Sequence, residues 1–140
     1  MKKGLVFICI FSFLFSCSVV YGFSVSTIYS EQYPLTIKPG EEKETFFLLQ
    51  NLFEGDQDIL VSVDLYEGKE IAYLSDNIQE YSLPFGEADE IPITIKAPPD
   101  AEPGSRYKIG AIFRPIVKEA SEEGDVQFLV NIGKSISVLV

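Results

Sequence analysis

Apolar residues recur at every second position along most of this chain, and no segment long enough for a helix repeats at helical spacing. The stretches FSVSTIY (23–29) and YPLTIK (33–38) alternate, and the second stops at the turn PGEE. KETFFLLQN (43–51) is apolar on both faces in its middle, the pattern of a central strand. ILVSVDLY (59–66) places Ile59, Val61, Val63 and Leu65 on one face. After the turn EGK, EIAYL (70–74) reads as its returning hairpin partner. SDNIQEYSLPFGEADE is irregular and punctuated by Pro84 and Gly86. EIPITIK (90–96) aligns Ile91, Ile93 and Ile95, while Pro92 cannot donate to a ladder and predicts a sheet edge. Tyr107, Ile109, Ala111 and Phe113 share a face in the next strand, which leads into an acidic hairpin tip, KEASEEGD (118–125). From there Val126, Phe128, Val130, Ile132, Ile136 and Val138 keep one parity to the last residue, interrupted by Lys134. Gly133 beside it predicts a bulge or bend. Short strands divided by turns predict an all-β sandwich or barrel.

The first 22 residues stand apart. MKK is a positive start, an apolar run follows, and VYG ends in the small residue Gly22, the layout of a cleaved signal peptide. The expected organisation is therefore a signal peptide over 1–22 and one domain over 23–140. LFSC (14–17) resembles the bacterial lipobox, which would make Cys17 a lipid anchor. Both cysteines, Cys9 and Cys17, belong to this leader, so the domain carries no disulfide and no thiolate metal site.

APPDAEPGSRYKIGAIF (97–113) joins two of the strands. Pro98, Pro99 and Pro103 stiffen it, and PGSRY sets Tyr107 at the start of a strand shortly after Pro103 and Gly104. This resembles the tyrosine corner of immunoglobulin-like and fibronectin type III sandwiches, in which the hydroxyl bonds a backbone group upstream. The resemblance makes Pro103, Gly104 and Tyr107 structural. Loss of a buried hydrogen bond in Tyr107→Phe would then cost about 1–2 kcal/mol. The fold expected is an immunoglobulin-like antiparallel β-sandwich of about seven to nine strands.

Charge and composition narrow the chemistry. With 21 acidic and 11 basic residues the net charge is −10. Lys2 and Lys3 belong to the leader, so the domain is more acidic still, a poor partner for nucleic acid. The chain has no histidine, which removes Ser-His and Cys-His catalysis and imidazole-bound zinc. KPGEEK and EPGSRYK are turns and lack the ending of a phosphate-binding loop. Carboxylates gather in turns: Glu54, Asp56 and Asp58; Glu87, Asp89 and Glu90; Glu119, Glu122, Glu123 and Asp125. A glycosidase needs two carboxylates facing across a cleft, which one small sandwich does not readily offer. Calcium suits such loops better, yet none has EF-hand spacing, and solvated acidic turns are the default. No catalytic residue, metal or cofactor is expected. Tyr66, Tyr73, Tyr81 and Phe85 would make a sugar or peptide surface only if two or more shared an exposed face.

Taken together, the leader, FSVS, LTIKPGEEKETFFLLQN, IPITIKAPPDAEPG and YKIGAIF with its acidic hairpin and long last strand resemble exported immunoglobulin-like domains of prokaryotes. The nearest are the N-terminal, peptidoglycan-binding domain of WxL-interacting surface proteins and NEW3-type domains. The N-terminal domain of pilus-assembly chaperones is a weaker resemblance. These imply a non-catalytic module of the cell envelope with a binding or structural role, whose partner is another envelope protein or a cell-wall polymer. The membrane would be reached only through the leader or Cys17. The alternative is a chaperone- or pilin-like assembly protein that pairs through an edge formed by Val126, Phe128, Val130, Ile132, Ile136 and Val138. For that alternative, deleting SISVLV (135–140) should abolish assembly and leave a folded monomer. A small envelope hydrolase is the remote alternative, resting on the carboxylates alone.

Overall fold

The computed structural model describes residues 22–52, 58–116 and 130–140. These form nine strands: β1 (Phe23–Ser26), β2 (Leu35–Thr36), β3 (Glu42–Asn51), β4 (Ile59–Glu67), β5 (Ala72–Leu74), β6 (Glu80–Leu83), β7 (Ala88–Lys96), β8 (Arg106–Ile116) and β9 (Ile132–Leu139). Two sheets face each other, one in the order β1-β3-β7-β5 and the other β2-β9-β8-β4-β6. The architecture is the expected immunoglobulin-like sandwich.

Alternate residues of each long strand turn inward, because successive side chains of a strand point to opposite faces. Phe47 and Leu49 of β3 and Ile91, Ile93 and Ile95 of β7 meet Val61 and Val63 of β4, Ile109 and Phe113 of β8, and Ile136 and Val138 of β9. All are buried, and each stabilises the fold by roughly 1.5–3 kcal/mol relative to exposure. The rings of Phe47 and Phe113 cross between the sheets edge to face, centroids 5.4 Å apart at 73°. Asn51 is the fully buried polar residue at the end of β3. Its Nδ2 donates to the Leu83 carbonyl at 3.1 Å, tying the first sheet to β6 in the second. Its own backbone holds the turn into β7, through Asn51 N to Glu87 O at 3.0 Å and Gly86 N to Asn51 O at 3.1 Å.

Four expectations need correcting. Residues 70–74 are not the hairpin partner of β4: β5 pairs with β7 in the opposite sheet. Gly68, at φ +77°, turns the chain across where an added Cβ would lie 2.7 Å from the Lys108 carbonyl oxygen. The edge of β4 goes instead to β6, whose Tyr81 and Leu83 are buried. Pro92 does not mark an edge, because β7 runs between β3 and β5. The Pro92 carbonyl accepts from Ser75 N at 3.0 Å, so its nitrogen also faces the β5 side. The paired residues of β5 end at Leu74, one position short of Pro92, so the proline falls where that ladder stops. Gly133 makes no bulge, since β8 and β9 stay in register from Arg106↔Leu139 to Phe113↔Ile132. The irregularity lies on β4, between Leu65 and Glu67. The extra residue, Tyr66, lays its ring over Gly110, where an added Cβ would stand 2.5 Å from Tyr66 Cζ. Finally, the last strand begins at Ile132, and Val130 precedes it.

Candidate functional site

The crossover that carries Pro103, Gly104 and Tyr107 is closed by backbone groups. Gly104, at φ +91°, donates its N–H to the Val140 carbonyl at 2.6 Å, and Val140 N donates to Ser105 O at 2.9 Å. Ala101 N to Pro98 O and Ser105 N to Glu102 O, at 3.1 and 3.0 Å, form its turns. Tyr107 sits on the inward parity of β8 and packs partly buried against the core. Among the described residues its hydroxyl meets no hydrogen-bonding group. The corner-type bond occurs at Tyr81. Its part-buried hydroxyl lies 2.9 and 3.0 Å from the two carboxylate oxygens of Asp76 and 3.1 Å from the Ile78 carbonyl, pinning the crossover from β5 to β6. Asp76 Oδ1 also accepts from Ile78 N at 3.0 Å. Burial, then the hydrogen bond and negative charge of Asp76, push the Tyr81 phenol well above its ordinary range. The sequence signal was an Asp that can close an Asx turn, followed by a Tyr on the apolar parity of a short strand.

The carboxylates and aromatics do not converge. Glu87, Asp89 and Glu90 are exposed along the entry to β7, and Asp89 Oδ1 accepts from the neighbouring Glu90 N. Asp58 is exposed; Glu54, Asp56, Glu119, Glu122, Glu123 and Asp125 lie outside the described residues. Among the described residues no three His, Cys, Asp or Glu side chains could hold one metal ion. Tyr66 lies on the outer side of the second sheet, whereas Tyr73, opposite Thr94, lies on the first. Tyr81 is buried and Phe85 sits in a turn. A cleft of about 290 Å³ opens between β4 and β5, with Val63, Leu65, Ala72 and Leu74 lining it and Asp64 and Lys69 paired at 3.3 Å. Its volume is at the bottom of the range of small-molecule sites.

The edge of β9 is different. Val126 and Phe128 lie outside the described residues, and Val130 is 67% exposed ahead of the strand. Ile132 packs partly buried against the core, and Ile136 and Val138 belong to it. The apolar parity of β9 is thus committed to its own sandwich. What stays unpaired among the described residues is part of its backbone. β2 covers β9 only where Leu35 and Thr36 pair in parallel with Val138 and Leu139. On that side the Leu139 carbonyl accepts from Ile37 N at 3.0 Å. Backbone groups of an antiparallel strand alternate sides, so those of Gly133 and Ser135 point the same way. No described strand pairs with them there. On the outer face Gly133, Ser135 and Ser137 are small, so side chains do not obstruct the approach.

No protein-family model matches the sequence, and no curated protein matches it. Among solved structures the chain is similar to the ASH/PapD-like domain of human CEP192 (PapD-like domain 7), with a TM-score of 0.55 at 12% identity. The match covers 85% of this chain and 84% of that one. At that identity the likeness describes the fold, and the chain is an immunoglobulin-like, PapD-like β-sandwich.

Proposed function

We propose that this protein is an exported, non-catalytic β-sandwich module of the cell envelope that pairs with an extended segment of another polypeptide along β9. The supporting observation is the long strand whose edge is covered by two residues of β2 and whose outer face there is built from Gly133, Ser135 and Ser137. An unpaired edge is a template for an added strand. This favours the assembly reading over a cell-wall-polymer site, because Tyr66 and Tyr73 lie on opposite sheets and make no joint platform. Residues 1–22 serve as the leader that exports it to the surface or periplasm, and Cys17 is the position at which a lipid would anchor it instead.

Deleting 135–140 does not test this pairing, because Ile136 and Val138 are core residues and the domain would unfold with them. Ser135→Pro does. The lost N–H faces the open edge, where proline is tolerated. The variant should melt near the parent, while a photoreactive side chain at Gly133 should stop cross-linking its partner in the producing cell. A parent protein that gives no discrete adduct from Gly133, but gives one from the cleft at Tyr73, would refute the assignment. The mass of the purified product reports whether processing occurs after Gly22 or at a lipidated Cys17.

A further inference from the structure

Lys134 interrupts the apolar parity of β9 between Ile132 and Ile136, on the face that looks into the sandwich. It is half-buried opposite Ala111. A lysine placed so can cover apolar surface with its stem and carry its ammonium to solvent. In a protein of net charge −10, carboxylates are abundant, and Lys43, Lys69, Lys96 and Lys108 each have one within 4.0 Å. Lys134 has none among the described residues. It belongs to the stretch of β9, around Gly133 and Ser135, that no described strand pairs on the β2 side.

We infer that Lys134 reads the partner's sequence, selecting an extended segment with an acidic residue flanked two positions away on each side by apolar ones. This rests on the pairing proposed for β9 and adds its specificity. A strand laid on the open edge sets a residue beside Lys134, at the roughly 4.5–5.5 Å between cross-strand neighbours where opposite charges attract. Its next residues on the same face come beside Ile132 and Ile136, which are apolar. Its residues on the other face meet Gly133 and Ser135, which accept any size. A second copy of this chain is a poor occupant. Two β9 edges joined antiparallel around Ser135 bring the two Lys134 ammonium groups to neighbouring positions on one face, and like charges there repel.

The test uses two short capped peptides of alternating Thr and Val, one with Glu and the other with Lys at its centre. They are titrated against the folded chain by fluorescence anisotropy at low salt. Exposed charge pairs contribute up to about 1 kcal/mol, so the Glu peptide should bind about fivefold more tightly than the Lys peptide. Binding should slow amide exchange at Gly133 and Ser135. Lys134→Met should bring the ratio near one, and Lys134→Glu should invert it, with circular dichroism confirming that both variants fold. Equal affinity of the parent for both peptides, with exchange still slowed at Gly133 and Ser135, would leave the pairing edge standing and overturn the role of Lys134. If neither peptide binds, or protection appears elsewhere, the edge itself is overturned. A dimer in sedimentation equilibrium that shields the same two amides would replace the foreign partner with a second copy.

Discussion

Tyr81 and Tyr107 offer a direct trial of how this sandwich holds its crossovers. Both are replaced by phenylalanine, which removes one oxygen and keeps the ring. At Tyr81 the lost hydroxyl had bonded the Asp76 carboxylate at 2.9 and 3.0 Å. Hydrogen bonds to charged groups contribute roughly 1.5–3 kcal/mol. Asp76 is exposed, so water replaces part of the bond, and the lower end, about 1.5 kcal/mol, is expected. At Tyr107 the hydroxyl has no partner among the described residues, and the same change should cost less than about 0.5 kcal/mol. This reverses the expectation from the sequence, which gave the bonded hydroxyl to Tyr107. Urea unfolding separates the two: with a slope of about 1.5 kcal/mol/M, the midpoint should fall by about 1 M for Tyr81→Phe and hardly move for Tyr107→Phe. A cycle with Asp76→Ala should show that the Tyr81 and Asp76 losses overlap. The raised Tyr81 phenol adds a pH test. Its contribution is fully present below the ordinary tyrosine value of about 10 and is lost as pH rises above it, because the unfolded chain gives up that proton first. Tyr81→Phe should flatten the alkaline loss of stability by this one group. Equal costs for the two substitutions, or no coupling between Tyr81 and Asp76, would refute the reasoning.

Three further substitutions probe the core and the glycines. Thr45 is buried with its Oγ1 unbonded, so Thr45→Val should raise stability by about 1 kcal/mol, read as a higher urea midpoint. Gly68→Ala should be the worse of two glycine replacements. Its φ is +77° and the new Cβ meets the Lys108 carbonyl at 2.7 Å and Ile109 Cδ1 at 2.6 Å, a cost above about 2 kcal/mol seen as a large drop in Tm. Gly110→Ala meets first the ring of Tyr66, which is 55% exposed and can swing away, so Tyr66→Ala should rescue most of its loss.

The period-two pattern made the sandwich and most inward faces legible. Ile91, Ile93 and Ile95, like Ile109, Ala111 and Phe113, are inward because alternation in a strand leaves no other choice. Composition alone removed histidine chemistry. Pairing partners were not legible, because alternation says which face a residue takes and nothing about which neighbour its backbone finds. Residues 70–74 alternate as well for β4 as for β7, and β6 won the β4 edge by burying Tyr81 and Leu83. The same ambiguity hid the corner: Tyr81 and Tyr107 both head apolar alternations, and only the fold around Asp76 decides which hydroxyl is bonded. At the candidate site, the sequence by itself determined the apolar parity of the last strand and the lysine that breaks it. Tertiary structure alone decided that this parity is spent on the core and that no described strand pairs with the outer backbone of Gly133 and Ser135, since an edge exists only where a sheet has run out of strands.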